Sequence, residues 1–121
     1  MPPAPEASPA LQEFKAQFFK ALAHPLRIRI LELLRGRERS VQEIQAALDL
    51  DQPTVSQHLS VLRARNVVIS RKEGSTVRYA VRDRQLGELL DVARRIFDSH
   101  LSGSQTMLRE LKREARRGGG R

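Results

Sequence analysis

A chain of 121 residues, 40% apolar and 30% charged, is long enough for one domain with a modest core. With 4% aromatic residues, no Trp and no Cys, that core must be mostly aliphatic, and disulfides, thiolate metal sites and cysteine nucleophiles are excluded. Lys and Arg outnumber Asp and Glu by 22 to 14, a net charge of +8 that suits a polyanionic partner, either nucleic acid or an acidic membrane surface.

The N-terminal "MPPAPEASPA" lacks the basic and apolar regions of a secretory signal. No stretch approaches the roughly 18 apolar residues of a membrane span, so a cytoplasmic protein is expected. Residues 1–8, rich in Pro and Ala, read as a disordered tail. Leu11, Phe14, Phe18, Ala21 and Leu22 recur at helical spacing over 9–22. Pro25 then suits the first turn of a second helix, whose buried side is Leu26, Ile30, Leu31, Leu33 and Leu34. Ser40 followed by Glu43 is a capping-box pattern that opens a short helix ending at Leu48. After the turn "LDLDQ", Pro53 starts a helix that runs to about Arg65.

The β-branched runs "VVISRK" and "TVRYAV" flank "EGS" and predict a hairpin with Gly74 at its tip. Helical spacing returns over 84–98, where Leu86, Leu89, Leu90, Val92, Ala93, Ile96 and Phe97 cover about 160° of one side. "SGS" at 102–104 is expected to break that helix, leaving a short basic helix from Gln105 to about Arg117 and a flexible "GGGR". The fold class is mainly α with a small β-hairpin. Its domain spans 9–100, followed by a basic C-terminal segment, 101–121.

Two short helices joined by a tight turn, 41–48 and 53–65, match a helix-turn-helix, whose second helix enters the DNA major groove. Val55, Leu59 and Leu62 can pack against the first helix, which leaves polar residues for base edges. The predicted base readers are Gln52, Thr54, Ser56, Gln57 and His58: Gln is bidentate to adenine, and Ser and Thr are adaptable. A solvated helix face is the plain alternative for this stretch alone. The next segment weighs against it, because Arg63–Arg84 holds seven cations and two anions. A basic hairpin directly after a helix-turn-helix is the arrangement of a winged helix, with Arg63, Arg65, Arg71, Lys72, Ser75 and Arg78 as phosphate contacts.

"KALAHPLRIRILELL", "VQEIQAALDLDQPTVSQHLSVLRARNVV" and "ISRKEGSTVRYAV" resemble, in order and spacing, the ArsR/SmtB family of bacterial winged-helix repressors over roughly residues 11–99. The resemblance implies a homodimer built from the first and last core helices, a palindromic operator, and release when a metal ion binds. The residue pattern supports the dimer separately. A 160° apolar stripe exceeds what one small domain covers, so Phe14, Phe18, Leu86, Leu90, Ala93 and Phe97 are expected at the interface. The bland alternative is that this helix only closes the core.

The family's two common metal sites do not carry over. "SVQEIQA" has no thiol and no His. On the last core helix Asp83 remains, but Gln85 stands for the first His, and Ile96 and Ser99 stand for the second pair. His24, before Pro25, reads as a capping or packing residue. His100, near Asp98, could join a symmetry-related copy in a nickel, zinc or cobalt site, with Asp83 a further candidate. The other expectation is a repressor that senses nothing itself, or that takes its signal from a separate effector-sensing protein or a non-metal ligand.

No Gly-rich phosphate loop or H-E-x-x-H spacing is present, which argues against an enzyme. A winged helix serving only protein–protein contact would have little need for so basic a wing. A nucleoid-associated DNA-binding regulator, most simply a repressor, is the reading that remains. The basic tail, with six cations against two anions over 109–121, has two readings, added non-specific DNA affinity or a solvated helix.

Overall fold

The computed structural model describes residues 8–119. Helix α1 spans Pro9–Leu22 and α2 spans Pro25–Leu34, each with Pro in the first turn, where a backbone N–H would have no helical partner anyway. His24 caps α2, its Nδ1 accepting from the Leu26 N–H at 3.1 Å. Helix α3, Val41–Leu48, opens with the predicted capping box. The Glu43 N–H donates to Ser40 Oγ at 3.1 Å, and the Ser40 N–H donates to Glu43 Oε1 at 3.4 Å. Helix α4 spans Gln52–Ala64.

Strands β1 (Arg39–Ser40), β2 (Val68–Glu73) and β3 (Thr76–Val81) form an antiparallel sheet in the order β1-β3-β2. The hairpin register runs from Val68↔Val81 to Glu73↔Thr76, and Gly74 at its tip has φ of 63°. The hairpin was legible, whereas β1 was not. Two residues carry no periodicity, and β1 exists only because Arg39 and Ser40 pair with Tyr79 and Arg78.

Helix α5 runs unbroken from Gln85 to Gly119, 35 residues. The break expected at 102–104 does not occur, nor does the expected flexible stretch begin at Gly118. Gly inside a helix costs about 1 kcal/mol, far less than Pro, and the helix formers from Met107 to Arg117 outweigh it. The tail expected over residues 1–8 lies, but for Ser8, outside the described residues, as do residues 120–121. No helix among the described residues is long and apolar enough to cross a membrane.

The chain falls into two compact units that meet in sequence between Gly87 and Glu88. The first unit holds the core: Ala21, Ile30, Leu31, Leu34, Ile44, Val55, Leu59, Leu62, Val67, Val68 and Leu86 are buried. Each fully buried Leu, Ile or Val stabilises by roughly 1.5–3 kcal/mol relative to exposure. This packing seats α4 on α2, α3 and β2 and so fixes which of its faces points outward.

Candidate nucleic-acid interface

The turn between α3 and α4 is set by Asp49, which takes the left-handed conformation at φ 54° and ψ 54°. That bend lets the Leu50 N–H return to the Gln45 carbonyl at 3.2 Å. Arg29 of α2 donates to the Leu48 carbonyl at 3.3 Å and satisfies a second group at the end of α3. Asp51 then caps α4, its Oδ1 accepting from the Thr54 N–H at 2.8 Å. The bonds from the side chain and the N–H of Thr54 hold the Asp51 carboxyl below its usual pKa. The far end of α4 is closed in the same way. Asn66 has φ 58°, the Val67 N–H reaches the Leu62 carbonyl at 2.9 Å, and the Asn66 N–H reaches that of Arg63 at 3.0 Å.

Between these caps α4 buries Val55, His58, Leu59 and Leu62. Gln57, Ser60, Arg63 and Arg65 are exposed, with Thr54, Ser56 and Val61 half-buried beside them. Gln52 donates through Nε2 to Ser56 Oγ at 2.7 Å, and Ser60 Oγ donates to the Ser56 carbonyl at 2.9 Å. Gln57 makes no side-chain hydrogen bond among the described residues, so both its amide groups are open to a partner. Four of the five predicted base readers thus share the outward side.

The fifth does not. His58 is only 8% exposed and points inward. Its position explains this: three residues after Val55 and four before Leu62, it falls on the buried arc at 100° per residue. Polarity had suggested the outer face, but spacing assigned the inner one. There His58 Nδ1 accepts from Arg27 Nε at 3.2 Å, and its ring lies 4.4 Å from that of His24. Burial, followed by the charges of His24 and Arg27, lowers its pKa.

The wing is tied to the helix-turn-helix by carboxylates. Arg71 donates through both Nε and NH2 to Glu38, the Nε bond at 2.9 Å, and meets Glu73 at 3.3 Å. Arg78, directly across the hairpin from Arg71, donates through Nε to Glu73 at 2.7 Å and through NH1 to Glu43 at 3.0 Å. The Arg71 bonds hold the Glu38 carboxyl below its usual pKa, and the Ser40 N–H together with Arg78 does the same for Glu43. Glu43 therefore caps α3 and anchors β3 at once, a double role that the capping pattern did not reveal.

Arg71 and Arg78, both expected phosphate contacts, have their charges already engaged, with side-chain exposures of 53% and 27%. Lys72 and Ser75 stand exposed near the tip, and Arg63 and Arg65 at the end of α4, without ion pairs to other described residues. Arg82, also in this basic segment, donates to Asn66 Oδ1 at 3.0 Å.

Of the residues expected at a dimer interface, Phe14 and Phe97 are 65% and 60% exposed, while Phe18, Leu90 and Ala93 are half-buried. Leu86 is 6% exposed and belongs to the protomer's own core, because the first turn of α5 closes that core. Phe19, missing from the expected set, is exposed and packs edge-on against Phe18 with ring centroids 5.5 Å apart. The exposed stripe on α5 reaches Leu101 and continues past the predicted break through Met107, Leu108 and Leu111.

Asp83 accepts through Oδ1 from the Gln85 N–H at 2.9 Å and so serves the start of α5. Asp98 faces Arg94 at 4.0 Å, and His100 is exposed. Among the described residues, no three His, Cys, Asp or Glu side chains come together as a metal site within the protomer.

Residues 24–70 match the model of the "Bacterial regulatory protein, arsR family". The chain is 43% identical over 106 residues to the Uncharacterized HTH-type transcriptional regulator Rv0081 of Mycobacterium tuberculosis, covering 87% of this chain and 93% of the relative. The crystal structure of that protein superposes with a TM-score of 0.73 at 44% identity, over 81% of this chain and 98% of the other. A solution structure from Mycobacterium bovis, described as a homodimeric winged helix-turn-helix DNA-binding domain, gives a TM-score of 0.75 at 30% identity, over 85% and 95% of the two chains.

Proposed function

The chain belongs to the arsR family of bacterial regulatory proteins, and on that premise we propose that it acts as a homodimeric repressor bound to an inverted-repeat operator. It is a DNA-binding transcriptional regulator and not an enzyme. The observation that carries the operator reading is the outer side of α4: Gln57 is exposed without an internal hydrogen-bond partner, with Gln52, Thr54 and Ser56 beside it. Amide and hydroxyl groups on the second helix of a helix-turn-helix are the chemistry that reads base edges in the major groove. Arg63, Arg65, Lys72 and Ser75 supply phosphate contacts around that face, joined by Arg71 and Arg78 when phosphates compete for them.

Two such helices in a two-fold dimer meet successive major grooves about 34 Å apart, which is why the operator is an inverted repeat. The exposed apolar surfaces of α1 and α5, including Phe14 and Phe97, support pairing with a second copy. The relative from Mycobacterium bovis is itself described as homodimeric. As a DNA binder the protein works at the nucleoid in the cytoplasm.

Selecting duplexes from a random-sequence library with the purified protein tests the operator reading. Gln57→Ala should weaken binding to the selected duplex by about 1–3 kcal/mol and relax its sequence preference, whereas Arg63→Ala should weaken all sequences alike. An unchanged affinity and preference in Gln57→Ala would remove the reading-face assignment.

For the signal, we propose a separate effector-sensing protein or a non-metal ligand. The alternative, nickel or zinc held by Asp98 and His100 of two copies, with Asp83 a further candidate, predicts tight stoichiometric binding in calorimetry that is lost in His100→Ala.

A further inference from the structure

We propose that Arg27 and His24 are positioning residues for DNA reading. Acting through His58, they fix the rotation of α4 about its own axis, and DNA binding is released when His58 takes up a proton. The inference rests on the assignment of α4 as the reading helix. It concerns three residues on the opposite side of that helix from the bases.

Two segments meet the His58 ring, and one of them is tied to a third. Arg27, in the first turn of α2, donates through Nε to His58 Nδ1 at 3.2 Å and through NH1 to the Ala21 carbonyl, near the end of α1, at 3.3 Å. His24, between those helices, lies against the ring at 4.4 Å with an interplanar angle of 49°. Its own Nδ1 is fixed by the Leu26 N–H at 3.1 Å. One guanidinium thus holds the end of α1 and the inner face of α4 together. His58 directly follows Gln57 in the chain, so a rotation of α4 that breaks this contact also moves the reading face.

The contact requires a neutral imidazole. Nδ1 accepts from a cationic donor, which places the single ring proton on Nε2. An imidazolium has no acceptor left, and protonation would set a donor against a donor. The charged and titratable groups that act on His58 are His24, from the α1–α2 junction, and Arg27 of α2. Arg27 repels an added positive charge, as does His24 in its charged form, and α1, α3 and β2 contribute no described group that offsets it. Burial acts in the same direction.

The sign follows from these causes. A base whose folded pKa is depressed is neutral in both states above the ordinary imidazole value of about 6.5, where it gives no pH dependence. Below that value the released or unfolded chain binds the proton more readily than the packed one, so the reading-competent arrangement loses ground as pH falls. Replacing His58 by Gln keeps an acceptor for Arg27 and removes the titration.

The test uses the full-length protein and a duplex selected from a random library at about pH 7.5, with fluorescence anisotropy repeated down to about pH 5.5. Wild-type affinity should fall about tenfold or more as His58 titrates, the factor expected when a hydrogen bond to a charged group is lost from the binding-competent state. Measured against its own affinity at the higher pH, His58→Gln should lose little at the lower one. Arg27→Lys, which loses the planar fork, should already bind more weakly at the higher pH.

Imidazole nitrogen shifts of the DNA-free wild type provide a readout independent of any variant's folding. They should show an unprotonated His58 Nδ1 at the higher pH, and the affinity loss should track its titration. A protonated Nδ1 at that pH, parallel acid loss in wild type and His58→Gln, or titration of His58 without a change in affinity would each overturn the proposal. If no duplex is enriched, the DNA-reading assignment itself fails, while the nitrogen shifts still decide the imidazole contact.

Discussion

Replacing Glu73 by Gln should tighten binding to duplex DNA and steepen its salt dependence. The Glu73 carboxylate lies between two guanidiniums, 2.7 Å from Arg78 Nε and 3.3 Å from Arg71 NH2, and is itself 56% exposed. Removing its charge leaves Arg71 with Glu38 and Arg78 with Glu43, so each arginine keeps one carboxylate and gains an uncompensated share of positive charge. Each additional phosphate neutralised steepens the slope of log affinity against log salt by about 0.9. Between 50 and 200 mM salt, the variant should therefore lose about 3.5-fold more affinity than wild type if one arginine reaches a phosphate, and about 12-fold more if both do.

The assay is anisotropy of a labelled duplex across that salt range, with a melting curve for each protein. Stability should change little, because exposed ion pairs contribute little. Adding Arg78→Gln to the Glu73 variant should remove the share of the gain that Arg78 supplies, and the double-mutant comparison isolates that pair. Equal slopes in wild type and Glu73→Gln would show that the wing does not meet phosphates through these arginines.

Other outcomes can be checked alongside. Leu59, fully buried on α4, should lose about 2–5 kcal/mol on replacement by Ala, lowering the melting temperature by at least about 8 °C; a smaller shift would mean that the site collapses around the cavity. Gly74→Ala should cost about 1 kcal/mol in chemical denaturation through backbone strain alone, since φ is 63° and no atom beyond its chain neighbours lies within 4 Å of the added Cβ. The Asp51 carboxyl is depressed by its cap bonds, so its contribution is present above the ordinary carboxyl range and lost as pH falls through the folded value. Asp51→Asn, which keeps an acceptor, should flatten the acid limb of a helicity titration between about pH 5 and 2.

Much of this fold is written locally. Pro25, Ser40 with Glu43, and Pro53 set helix starts because each acts on backbone groups within one turn, and α1 to α4 follow the expected bounds to within about one residue. What escaped the sequence was non-local or marginal. Strand β1 depends on a partner 38 or 40 positions away, in the register of Arg39 with Tyr79 and Ser40 with Arg78. The continuity of α5 turns on a small glycine penalty set against strong helix formers on either side.

The wing arginines are bound by Glu38 and Glu43, 33 and 35 residues distant in sequence, which no charge count reveals. His58 is a different kind of miss, since its spacing from Val55 and Leu62 was sufficient to place it. At this position helical angle, and not side-chain polarity, decides the face. The same rule of 100° per residue left Gln52, Thr54, Ser56 and Gln57 on the outward side.

Among the described residues, eleven hydrophobic side chains are buried and eleven large ones are exposed, eight of the latter on α5. If a second copy covers this surface, as proposed above, the chain's folding is tied to its abundance. A second copy that covers this surface binds the folded chain and not the unfolded one, so mass action raises the folded fraction as the protein accumulates. In the dimer proposed above, dilution would separate the protomers and also lower their stability, so that operator occupancy would fall more steeply than a dimer equilibrium alone dictates. A gene under the proposed operator would thereby respond to the protein's own copy number without any ligand.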